Sequence, residues 1–154
     1  MNGAAAAISE APLAQDKALA FILAGNAIFT LRSEKTGTRY TFKFRKAEPR
    51  EGQQNAPEMW FVNLLTGPSN DADYQYLGKF QNGRFSLTRA SKMAADAKPV
   101  VAIRWFAELL AAGRQPQNVE VWHAGRCGKC GRMLTVPESI ESGIGPVCAA
   151  GGRD

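Results

Sequence analysis

The sequence has one histidine, three cysteines and no apolar run long enough to cross a bilayer. Its longest such stretch, 18–24, falls far short of the roughly 20 residues a membrane-spanning helix needs. No cationic segment leads into an apolar one at the N-terminus, so the expectation is a soluble protein that stays in the cytoplasm, without membrane association. Three cysteines leave one thiol over in any intramolecular disulfide scheme, and in a reducing compartment metal ligation is the better explanation of their presence. There is no glycine-rich phosphate loop and no nucleophile beside an identifiable base, and the carboxylates are scattered. Those absences argue against an enzyme and leave, within that class, only a nuclease-like enzyme assembled from residues distant in sequence. No repeat of solenoid or propeller length is present.

Acidic residues are scarce in one place. Between positions 32 and 50 seven basic residues face only Glu34 and Glu48, and the remaining 12 basic and 12 acidic residues cancel, so the net charge of +5 belongs to this region. Hydrophobic residues make up 45% of the chain, enough for a core. The Ala-rich segment 1–19 reads as a disordered or weakly helical tail. From there the pattern predicts a β-rich α+β domain over 20–118. Alternation of period two marks strands at 27–32 and 38–46 around a turn at 33–37, and a more buried run follows at 59–65. Strands at 74–80 and 84–87 flank Asn82-Gly83, a pair suited to a type I′ turn. Pro99 can open a helix in which Val101, Ala102, Trp105, Phe106, Leu109 and Leu110 recur at helical spacing until Gly113 stops it. Trp105 and Phe106 are expected in the core. A short strand at 118–122 leads to His123. The predicted fold is a small antiparallel sheet of about four or five strands on one main helix, with a zinc-binding module over 119–154.

The chemistry-bearing pattern of that module is His123, Cys127, Cys130 and Cys148. Two cysteines separated by two residues close a tight loop on one ion, and Gly128 and Gly131 permit the positive φ angles such a loop often needs. Pro146 is suited to open a short helix that would place Cys148 at its positive end. With four ligands engaged, one structural Zn2+ is expected, because a catalytic zinc keeps a position open for water. Asp154 or Glu138 is the alternative to His123 as fourth ligand. A thioredoxin-type redox pair would open a helix, whereas Gly131 and Thr135-Val136-Pro137 follow here. The zinc deaminase pattern fails too, since Gly125 stands where its glutamate belongs.

The run from Cys127 through Gly131-Arg132-Met133-Leu134-Thr135-Val136-Pro137 to Ile140, followed by Gly143-Ile144-Gly145-Pro146-Val147-Cys148, resembles a small domain of unknown function common in bacteriophage and prophage proteins. The likeness covers roughly the last thirty residues. It implies a treble-clef-like or zinc-ribbon-like module and a phage origin, hence the cytoplasm of a bacterial host, and it supplies no mechanism.

In 38–46 the aromatic Tyr40, Phe42 and Phe44 alternate with Arg39, Thr41, Lys43 and Arg45, so one face of that strand is cationic. With Arg32, Lys35, Lys46 and Arg50 nearby, and Lys129 and Arg132 on the zinc loop, these residues form a candidate site for DNA or RNA bound without sequence readout. Tyr74, Tyr76, Trp60 and Trp122 are stacking surfaces if they face solvent, although core positions are the ordinary fate of aromatics. The competing reading is a protein-interaction module, acting on a host or phage protein, in which the zinc domain presents Leu134, Ile140 and Ile144.

Overall fold

The computed structural model of the chain describes residues 13–49, 51–52, 55–68, 72–123 and 129. It contains α1 (Gln15–Ile22), β1 (Asn26–Ser33), β2 (Arg39–Lys46), β3 (Met59–Leu65), β4 (Tyr74–Gln81), β5 (Arg84–Ser86), α2 (Lys98–Ala111) and β6 (Val119–His123). The six strands form one antiparallel sheet in the order β5-β4-β3-β2-β1-β6. The chain is α+β, as expected, but the sheet is larger than four or five strands and carries two helices. β1 to β5 run as a meander, α2 returns across the sheet, and β6 pairs with β1 on its other edge. β6 therefore completes the same sheet before the chain enters the expected metal module.

Both helices cover one face. Every strand but β4 alternates, and the buried set Ala27, Phe29, Leu31, Phe42, Phe44, Trp60, Val62, Leu64, Phe80, Phe85 and Val121 shares a core with residues of α1 and α2. Aromatic rings dominate its centre: Phe29 lies 5.4 Å from Phe44, which lies 5.9 Å from Phe80, both tilted as ring quadrupoles favour. α1 buries Ala18, Phe21 and Ile22 at helical spacing, and its C-terminal end is pinned where the Trp60 indole donates to the Leu23 carbonyl at 3.2 Å. Residues 13–19, expected in the tail, thus include core: Leu13 is buried and its amide donates to the Val121 carbonyl.

Two local readings hold. Asn82 and Gly83 both adopt positive φ, 55° and 76°, closing the β4-β5 hairpin, and Gly113 at φ 77° follows α2. A third does not. α2 buries Val100, Ile103, Phe106, Ala107 and Leu110, while Val101 is 51% and Trp105 43% exposed. Phe106 is core as expected and Trp105 is not. Apolar residues come in adjacent pairs along this helix, so their spacing alone suits two faces 100° apart, and the sheet selects one.

Candidate nucleic-acid interface

Antiparallel pairing aligns side chains of equal parity in rows, so the open face of the sheet can be read across the strands. One row holds Asn26, Arg45, Phe61, Lys79 and Ser86; the next holds Ile28, Lys43, Asn63 and Tyr76. Further along, Trp122, Thr30 and Thr41 align, then Glu120, Arg32 and Arg39. Among the strand residues of this face six are cationic, Arg32, Arg39, Lys43, Arg45, Lys79 and Arg84, and one is anionic, Glu120. The anion is engaged: it accepts from Arg32 at 3.1 Å and from the Trp122 indole at 3.0 Å.

Aromatic residues lie on this face at β3 and β4 and again at the β6 edge. Phe61, Tyr74, Tyr76 and Trp122 are all half-buried, which corrects the expectation that Tyr74, Tyr76 and Trp122 lie inside; Trp60, by contrast, is core. The Phe61 and Tyr76 rings meet edge to face at 6.3 Å, and Thr88 Oγ1 donates to the Tyr76 hydroxyl at 3.1 Å. Cations lie over these rings, Arg45 at 5.4 Å from the Phe61 centroid and Lys43 Nζ at 5.5 Å from that of Tyr74. Strict alternation along β4 would not put Lys79 and the two tyrosines on one side, because odd intervals separate them. A β-bulge reconciles them: the β3 partner jumps from Gly78, opposite Val62, to Tyr76, opposite Asn63, so Leu77 joins the core and both tyrosines turn outward. Gly78 is required there, since a Cβ would collide with the Ser86 carbonyl oxygen and sit 3.0 Å from the Phe85 ring.

Of the cations singled out in the sequence, Arg39, Lys43, Arg45 and Arg32 share this face. Lys46 does not: it is of opposite parity to Arg45, lies over Trp60 and pairs with Glu58. Lys35 is exposed in the β1-β2 turn, away from the stripe. Lys129 is brought to the sheet, its carbonyl accepting from Asn26 Nδ2 at 3.1 Å, next to the row that contains Arg45. Arg50 and Arg132 lie outside the described residues. Lys79 and Arg84 were missed because they belong to a hairpin whose place in the sheet the sequence pattern alone leaves open.

For the metal ligands, His123 is the last residue of β6, opposite Phe29, 1% exposed, its ring 5.7 Å from that of Phe21. Cys127, Cys130 and Cys148 lie outside the described residues, as do Glu138 and Asp154. Among the described residues no three His, Cys, Asp or Glu side chains converge, so a centre using His123 would draw its other ligands from that remaining set. No described helix is long and apolar enough to cross a membrane.

Residues 122–151, from Trp122 onward, match a family of unknown function (DUF6011). No curated protein and no solved structure matches the chain. The chain is thus similar, over the segment that carries His123 and all three cysteines, to a family whose activity is open.

Proposed function

We propose that the chain is an accessory nucleic-acid-binding protein, of the phage type that its C-terminal motif resembles, which holds nucleic acid on the open face of its sheet. The observation that carries this reading is the six-to-one excess of cations over anions among the strand residues of the sheet face that neither described helix covers. A surface of that kind gains affinity by releasing counterions from phosphates, a term independent of sequence and steeply weakened by salt. A gel-shift assay tests it. If Arg39, Lys43 and Arg45 each neutralise a phosphate, affinity falls roughly 20-fold for a single strand and roughly 40-fold for a duplex between about 50 and about 200 mM salt. Lys43→Glu combined with Arg45→Glu abolishes binding at the lower salt, and absence of binding by the native chain there rejects the reading.

The same proposal assigns one structural Zn2+ to Cys127, Cys130, Cys148 and His123. Its support is the ligand spacing together with the placement of His123 and Lys129, which set both ends of the 123–129 segment against β1.

A second reading, protein interaction, has one observation in its favour. Val101 and Trp105 lie one turn apart on the solvent side of α2, beside a groove lined by Leu31, Tyr40, Ala102 and Val119. The residues expected from the sequence to present such a surface, Leu134, Ile140 and Ile144, lie outside the described residues.

A further inference from the structure

We infer that the ligand of the open face is single-stranded, with unpaired bases stacked on Phe61 and Tyr76 and phosphates held by Arg39, Lys43 and Arg45. The inference rests on the nucleic-acid reading above and adds the class of nucleic acid.

A purely phosphate-binding face needs cations and no more. This one centres its cations on rings: Arg45 and Lys43 stand over Phe61 and Tyr74, and Phe61 abuts Tyr76. Rings only partly buried on this face give up some burial, and the bulge at Gly78 turns two tyrosines away from the core. A duplex uses that arrangement only at a cost. Its bases are already stacked on one another, so the rings reach a base face only where the duplex is kinked and a base step unstacked, about a few kcal/mol per step. A single strand offers both a flat π surface and a phosphate within one nucleotide, matching a ring and a cation about 5.5 Å apart. The guanidinium of Arg45 then either slides from the ring to the phosphate or stacks on the base itself.

The face also has a second station. Trp122 lies on β6, three strand spacings across the sheet and four residues along it from the row of Phe61, roughly 20 Å away. Between them run the hydroxyls of Thr30 and Thr41, 2.7 Å apart, and the Lys43 side chain. A strand crossing from β4 toward β6 therefore meets rings at both ends and polar donors between. Stacking tolerates every base, so the discrimination is between unpaired and paired, not among bases.

Fluorescence anisotropy of the full-length, zinc-loaded chain with labelled oligothymidylate and a duplex of matched length tests this. The single strand is expected to bind about tenfold or more tighter than the duplex, and Phe61→Leu combined with Tyr76→Leu to remove that advantage at unchanged salt dependence. Both positions lie outside the core and are partly buried, and circular dichroism checks the fold of the variant. A duplex bound as tightly as the single strand, or a variant within about threefold of the native affinity, overturns the inference while the basic-face reading stands. Binding of neither oligonucleotide removes both. Photocrosslinking with a bromodeoxyuridine oligonucleotide reads the same contact without substitution: adducts within 59–65 and 74–81 support it, and adducts confined elsewhere overturn it.

Discussion

Trp105 and Phe106 are neighbours in sequence with opposite fates, one 43% exposed and the other fully buried against the sheet. Phe106→Ala removes a ring from close-packed surroundings and is expected to destabilise the chain by about 3–5 kcal/mol. Trp105→Ala gives up only partial burial and is expected to lower stability by about 1 kcal/mol. Urea unfolding of the two variants measures the difference, and equal losses would mean that α2 is rotated on the sheet. The same contrast explains why one aromatic was misjudged. A helix with apolar pairs at 100–101, 105–106 and 109–110 has no single apolar face in its sequence, and the choice is made by what it packs on.

At the scale of elements, β4 shows most clearly what a local pattern misses. Its residues alternate acceptably in either register, and pairing with β3 inserts the bulge that sends Leu77 inward and Tyr76 outward. Gly78→Ala places a methyl group against the Ser86 carbonyl, which belongs to a paired backbone and yields little. The expected loss is about 1–3 kcal/mol in urea or thermal unfolding. Because β4 and β5 must part to admit the methyl, weakened oligonucleotide binding is expected at temperatures where the variant is still folded. Native stability in Gly78→Ala would show that the hairpin edge is looser than its geometry implies. β2, by contrast, was legible except at Lys46: Phe42 and Phe44 inward, Arg39, Lys43 and Arg45 outward. Its period-two alternation between large aromatics and cations admits one orientation only, since the reverse would bury charge.

For the whole molecule, the proposed zinc centre joins the sheet through His123, which belongs at once to β6 and to the proposed ligand set. Native mass spectrometry of reduced protein is expected to find one zinc per chain, and Cys127→Ser to lower that content. Because His123 packs on Phe21 in the core, chelation is expected to lower the melting temperature of the sheet itself by about 4–8 °C, equivalent to ~2 kcal/mol, while β-sheet circular dichroism persists. Metal-free reduced protein, or a melting curve indifferent to chelator, would refute the centre.

The amino-acid order by itself determined the α+β class, most strand positions, the tight Asn82-Gly83 turn and the cationic side of β2. Each follows from interactions within a few residues, where period, turn propensity and charge act without reference to the rest of the chain. Only the tertiary structure decided that the sheet has six strands, that Trp105 is outside, that Lys46 leaves the stripe, and that Phe61, Tyr74, Tyr76 and Lys79 join Lys43 and Arg45 on one open face. Those outcomes depend on register between strands distant in sequence and on which face two helices cover, and neither is encoded in any one segment.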